Sequence, residues 1–379
     1  MFPTKINNNY GFFRPITENL DYICPILLSA LLPMTILYPL LFENNFHDVV
    51  WGGTRLKPFK NLPPDDEPVG ESWEVSAIPS SASVVRNGPL AGRDLISLTR
   101  DYGHLLLGSS VCRKYGSDFP LLVKFIDADK DLSVQVHPDD SLARRRHNCS
   151  GKTEMWYVMK AEPGAHIFSG LNQPISKYEY EKRVEDGSIC DVLTRLDVHE
   201  GDVFYIPAGR IHAICGGVLL AEIQQSSNIT YRIFDYNRPG LDGKPRQLHI
   251  SEAREAIDFS VLDDYRTHYV RQLNKSVVLV DSPYFMVKLL ETDRPFHRKL
   301  FKYDSFVIYT CIAGDCNISV RSTQGFGRNA VPDPLNASVH LSEGNSCLIP
   351  ASVADFDVTP NNDKGVTKLL ESYIDNKNY

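Results

Sequence analysis

Alternation of apolar and polar positions dominates the chain and predicts strands. In Leu132–His137, Leu132, Val134 and Val136 point one way, and Ser133, Gln135 and His137 the other. Lys152–Val158 alternates likewise, so Lys152, Glu154 and Trp156 share a face. Phe119–Ile126 (FPLLVKFI) is a short buried run, and Glu71–Ser76, Asp202–Ile206, Val218–Gln224 and Thr230–Phe234 read as further strands. The pattern resumes in Ser276–Val280, Tyr284–Glu291, Phe306–Ile312 and Cys316–Arg321. Helical spacing enters at Gly92–Tyr115, at the polar stretch Pro174–Asp186, and at Ile250–Phe259 with Ser251 as its expected N-cap. Tyr38–Trp51 reads as one strand closed by Gly52 and Gly53, and the proline-rich residues 57–70 as an irregular loop.

The pattern also repeats. HEGDVFYIPAGRIHAI (His199–Ile214) is echoed by SEGNSCLIPASVADFDV (Ser342–Val358), with Gly201, Ile206, Pro207 and Ala208 falling on Gly344, Ile349, Pro350 and Ala351. Each copy is a tight turn, a short strand and a second bend. Two copies predict a mainly β chain of two β-barrel domains with inserted helices. We place the first domain at 34–260 and the second at 261–379. His212 of the first copy falls on Asp355 of the second, so the first barrel is expected to carry the chemistry and the second to serve as scaffold.

Tyr22–Phe42 is apolar and long enough for a membrane span, but Pro25, Pro33 and Pro39 interrupt it and no clean cleavage site follows. A signal peptide or anchor, a structural extension, and an upstream segment preceding a start at Met34 compete. The third is our expectation, with residues 1–33 outside the fold.

Composition narrows the functional classes. The 379 residues are 42% hydrophobic and 23% charged, which excludes a disordered or collagen-like chain. A net charge of -7 provides no global basic field for nucleic acid or an anionic membrane. A small anionic substrate would need a local cluster of Lys and Arg. The eight cysteines form no C-x-x-C pair and read as reduced thiols in a cytosolic protein.

Gln135, His137, Glu154 and His212 come from three separate strand-like segments. Two histidines, a carboxylate and an amide suit a divalent metal with positions open to substrate. Taken singly each has a plainer reading: His137 precedes Pro138 as a turn histidine would, Lys152 suits a solvated strand end, and Arg232 suits an ion pair with Asp235 or Glu222. Glu154 in an apolar strand is more telling, because a buried carboxylate needs a partner. Arg144-Arg145-Arg146-His147 reads as a solvated helix end.

Seven segments in order sharpen this: V-W-G-G (50–53), G-E-S-W-E (70–74), P-L-L-V-K-F-I-D-A, S-V-Q-V-H-P-D, G-K-T-E-M-W-Y-V, E-G-D-V-F-Y-I-P-A-G-R-I-H-A-I and Y-R-I-F-D-Y-N-R. Together they resemble the class I phosphomannose isomerases of the shorter bacterial type, from about Tyr38 to Asp258 and more weakly beyond. The resemblance implies a cupin-type double-stranded β-helix (jelly roll) and one Zn2+ per chain. It implies zinc ligands Gln135, His137, Glu154 and His212, with Gln135 either a ligand or just behind the ligands. Arg232 falls at the family's catalytic arginine and Glu222 at its active-site acid. Lys124, Ser133 and Lys152 fall near the phosphate or sugar. The implied activity is interconversion of mannose 6-phosphate and fructose 6-phosphate through an enediolate in cytoplasmic sugar metabolism. The base stays open among Glu222, a metal-held water and His104. The partner is a small phosphosugar, with no nucleic acid or membrane, and the chain a monomer or homodimer. A metal-dependent cupin oxygenase and a non-catalytic sugar-binding cupin are the competing classes. The Lys124/Lys152/Arg232 cluster weighs against the first and the complete residue set against the second. The polar loop 322–339 receives no role.

Overall fold

Two pairs of facing antiparallel sheets form the protein. The computed structural model describes residues 36–301, 303–322, 338–353, 355–361, 363 and 365–375. The expectations for residues 1–33 and Met34, and most of the 322–339 loop, lie outside the described residues. From Leu37 onward the chain belongs to one compact unit. No described helix is long and apolar enough to cross a membrane.

In the first sandwich one sheet runs Phe46–His47, Glu71–Val75, Leu121–Ala128, Val218–Gln225, Glu154–Ala161 and Val203–Ile206. It faces Tyr231–Phe234, Val134–Val136, His212–Ile214, His166–Leu171 and Leu193–Asp197. Ile126, Trp156, Val158 and Leu220 meet Ile167 and Ile214 between them. On the outer face of the five-stranded sheet, Val134, Val136, Ala213 and Ile233 pack under the helices Asp140–His147, Lys177–Glu185 and Ile250–Ala256. Burying those valines on the outside turns Gln135 and its neighbours inward, because strand residues alternate faces.

The second sandwich repeats the plan. Leu40–Leu41, Ser346–Ile349, Val307–Ala313, Thr367–Tyr373, Met286–Thr292 and Lys275–Asp281 face Phe296–Lys299, Asp355–Pro360, Asp315–Ser322 and Ser338–Ser342. The six-stranded sheets of the two sandwiches pack back to back, with Val123, Phe125, Met155 and Ile223 against Val287, Leu289, Ile308 and Leu370. Leu98 and Leu106, from the helices Leu95–Tyr102 and His104–Leu107, join that core. The registers also correspond. Glu222 pairs with Lys124 on one side and Trp156 on the other, and Glu371 pairs with Lys288 and Tyr309. In the second sandwich Arg298 forms a buried ion pair with Glu371.

Several expectations are corrected. Tyr38–Trp51 is not one strand: Leu40–Leu41 pairs with Ser346–Ile349 in the second sandwich, and Phe46–His47 pairs with Glu71–Val75 in the first. The polar run Glu43-Asn44-Asn45 separates the two pieces. The 57–70 loop opens with a helical turn, Leu56–Phe59, which tolerates Pro58 because first-turn N–H groups have no intrahelical acceptor. Ser251 lies inside its helix, His249 is the N-cap, and the Ser251 hydroxyl bonds Glu252 instead. Asp355 does not take the direction of His212. Phe356 and Val358 point into the second core, while Asp355 sits 3.4 Å from His297.

Candidate metal centre and its cavity

Three adjacent strands bring His212, Gln135 and Arg232 into one row: His212 pairs with Gln135, and Gln135 with Arg232. The facing sheet contributes Glu154 and, one strand over, Glu222 between Lys124 and Trp156. His137 Nε2 lies 3.4 Å from Glu154 Oε2, and His212 Nε2 lies 3.3 Å from Glu154 Oε1. Among the described residues these three form the group able to hold a metal, and all are buried.

The donor set fits a metal ion. His137 Nδ1 lies 2.9 Å from the Ile229 carbonyl and His212 Nδ1 lies 2.8 Å from the Arg210 carbonyl. A carbonyl only accepts, so each Nδ1 carries the proton and each Nε2 offers its lone pair. Both Glu154 oxygens are buried; Oε1 has no hydrogen-bond donor, and Oε2 has only the Lys152 ammonium, at 2.7 Å. One ligand atom from each of the three residues lies within 4.8 Å of the other two, close enough for all three to share a single divalent ion. Burial pushes both imidazoles down, His212 to about 3, so they are neutral as metal ligands must be. Burial also opposes charge on Glu154, but the Lys152 ammonium outweighs it and holds the carboxyl well below its usual range. Gln135 Nε2 is 3.3 Å from His212 Nε2, and exchanging its amide O and N would turn Oε1 to the same spot.

A cavity of about 350 Å³ adjoins the trio. Of the residues singled out by sequence, Lys124, Ser133, Gln135, Lys152, Glu222 and Arg232 line it. Lys152 Nζ stands 2.7 Å from Glu154 and 3.1 Å from His137 Nε2, which excludes the solvated strand-end reading. Lys124 Nζ lies 3.4 Å from Glu71 and 3.6 Å from Glu222. Burial disfavours its charge, but Glu71 and Glu222 more than restore it. Trp156 Nε1 donates to Glu222 Oε2 at 3.0 Å. Burial and the nearby Glu154 raise the Glu222 carboxyl. Arg232 does not make the ion pair with Asp235 that sequence offered as its plainer reading: Asp235 is taken by Arg238 and Arg246. Instead Arg232 Nη1 donates to the Gln247 carbonyl at 3.1 Å, and its buried Nε has no hydrogen-bond partner. His104 is exposed on its helix and does not line the cavity.

Among the lining residues that sequence reasoning passed over are Trp51, Glu71 and Arg246. Trp51 and Glu71 stood within V-W-G-G and G-E-S-W-E, so a signal was present. Arg246 lies in a Pro- and Gly-rich loop without periodicity and gave none.

Comparison with known proteins gives a consistent picture. Residues 40–162 match the model of the phosphomannose isomerase type I catalytic domain. The chain is 40% identical over 325 residues to a Bacillus subtilis (strain 168) protein named "Probable mannose-6-phosphate isomerase", covering 85% of this chain and 96% of that one. It is 35% identical over 283 residues to the mannose-6-phosphate isomerase of Streptococcus mutans, covering 74% of this chain and 87% of the relative. The crystal structure of mannose 6-phosphate isomerase from Bacillus subtilis superposes with a TM-score of 0.76 at 29% identity, over 89% of this chain and 99% of that one.

Proposed function

The chain belongs to the type I phosphomannose isomerase family, and on that footing we propose that it interconverts mannose 6-phosphate and fructose 6-phosphate in the cavity of the first sandwich. One observation carries this reading: a buried carboxylate with an unpartnered oxygen, flanked by two neutral imidazoles, opens onto a cavity lined by a second carboxylate and by cations. His137, Glu154 and His212 would hold one zinc ion, with Gln135 as the fourth group. Zinc, when bound, polarises a carbonyl and offsets the negative charge of an enediolate without redox chemistry.

The chain's own residues supply the rest. Glu222 moves the proton between C2 and C1 through Oε1, while Trp156 holds its other oxygen. Its raised proton affinity brings the carboxylate nearer the strength a base at neutral pH needs. Lys152 and Lys124 meet the sugar oxygens, Ser133 adds a hydroxyl beside them, and Arg232 presents its unpartnered Nε to substrate. Residues 34–260 form the catalytic domain and 261–379 the scaffold, joined by the exchanged strand Leu40–Leu41. The described cysteines, Cys112 to Cys347, are all free, which supports a reducing, cytoplasmic setting.

A coupled assay of mannose 6-phosphate to fructose 6-phosphate tests the reading, run as purified, after chelation and after zinc is restored. Activity should vanish on chelation and return with zinc. A zinc-loaded protein without turnover overturns the isomerase reading.

A further inference from the structure

The phosphate of the substrate still needs an anchor, and the two lysines are poorly placed to provide one. Lys124 lies between Glu71 and Glu222 at 3.4 and 3.6 Å, and Lys152 lies 2.7 Å from Glu154 and 4.0 Å from Glu222. Each ammonium is thus already engaged by carboxylates, which leaves neither free to grip a phosphate.

The charge balance reverses at the sheet edge. The charged groups acting on Arg232 are Arg246, Asp235 and Arg238, three guanidiniums in all around one carboxylate. Asp235 is nearly buried and binds Arg246 through Nε at 2.7 Å and Nη2 at 2.5 Å. It also binds Arg238 through Nε at 3.1 Å and Nη2 at 2.8 Å. This two-point grip fixes the plane of the Arg246 guanidinium and leaves Nη1 for a ligand in the cavity that Arg246 lines. Arg232 adds the unpartnered Nε. Asn228 and Thr230 line the cavity as well and offer further donors. From His212 through Gln135 to Arg232 is two strand spacings, about 9.5 Å. That separation suits a six-carbon chain with its carbonyl at the metal and its phosphate at the arginines.

We propose that Arg246, oriented by Asp235, forms with Arg232 the phosphate-binding pair of this cavity and sets the preference for phosphorylated over free sugar. The identity of the sugar rests on the isomerase reading above; the affinity for phosphate does not. Asp235 is a positioning residue in this scheme.

The experiment uses the zinc-loaded enzyme and two readouts: steady-state turnover of mannose 6-phosphate, and calorimetric binding of inorganic phosphate. Arg246→Met should raise KM by roughly tenfold or more with kcat changed less than about threefold, and should weaken phosphate binding in parallel. Arg246→Lys should recover part of both losses, since it restores charge without the fork. Asp235→Asn should raise KM like Arg246→Met, whereas a purely structural role would lower Tm and kcat and leave KM alone. Lys244→Met, an exposed charge on the same loop, should change neither readout. Unaltered KM and phosphate binding in Arg246→Met overturn the proposal, as does an equal loss in Lys244→Met. Absence of turnover in the wild type counts against the isomerase reading alone, and phosphate binding then still decides the role of Arg246.

Discussion

Trp156 Nε1 donates to Glu222 Oε2 at 3.0 Å, so one oxygen of the buried carboxylate is tied to the barrel wall while the other, Oε1, accepts no hydrogen bond. A base held by one oxygen keeps its reactive oxygen in a fixed place, and the donor tunes its proton affinity.

Two substitutions probe this arrangement. Glu222→Gln should lower kcat by roughly 10²-fold or more with zinc content unchanged. Trp156→Phe removes a donor to a carboxylate, which should cost about 1.5 kcal/mol, or roughly tenfold in kcat. It should also move the acid limb of the kcat/KM profile to higher pH, because an N–H bonded to a carboxylate favours the charged form. Rate against pH, with zinc measured on each sample, checks both.

His212→Ala should lose metal and activity together, because the Arg210 carbonyl orients this Nε2 and no other described histidine replaces it. Elemental analysis beside the coupled assay gives the answer. A variant that keeps full zinc but no activity would contradict the assignment of His212 as a ligand.

The metal-free protein should lose stability as pH falls below about 6.5, the ordinary value for histidine. His212 and His137 have lowered values in the fold, so the unfolded chain takes up protons there before the folded one does. Stability is therefore full above that pH and falls as it drops toward about 3 for His212. The slope should approach 1.4 kcal/mol per pH unit for each histidine. Denaturant melts of chelated protein between neutral pH and pH 5 measure it.

Gly53→Ala should destabilise the protein by roughly 2–3 kcal/mol. A Cβ at Gly53 would stand 2.5 Å from Asp127 Oδ2, whose carboxylate holds Arg55 at 2.6 Å. Arg55 in turn caps the carbonyls of Ala128 and Val218 at the ends of two central strands. A Cβ at Gly52 would meet Gly70 N at 2.5 Å, so the V-W-G-G turn and the G-E-S-W-E strand need one another. A shift in Tm reads the effect.

Asp355→Ala should leave zinc content and turnover unchanged, with a stability change within about 1 kcal/mol. Asp355 pairs with His297 on the outer face of its sheet, far from the first sandwich's interior in direction as well as sequence.

Period-two alternation carried most of the site. It placed Gln135 with His137, and Glu154 with Lys152 and Trp156, and the sandwich interior receives all of them. It could not reach Arg246, whose position depends on a loop folded back onto Asp235 rather than on any repeat. The same limit applies to direction in the second repeat. Aligned letters put Asp355 on His212, but a one-residue change of phase turns a strand's face over, and only pairing partners reveal it. Short strands such as His166–Leu171 and Leu193–Asp197 escaped for a related reason: their outward positions are mixed, so they lack a clean apolar rhythm.

Glu371 occupies in the second sandwich the register position that Glu222 occupies in the first, and Arg298 is the cation beside it. The two halves thus meet the same buried carboxylate differently: in the first, two lysines stand 3.6 and 4.0 Å from Glu222 across an open cavity, and in the second a guanidinium closes directly on Glu371. Because the two six-stranded sheets share a core, the half whose interior is sealed by its own side chains is a standing template for the half that must stay open to a ligand.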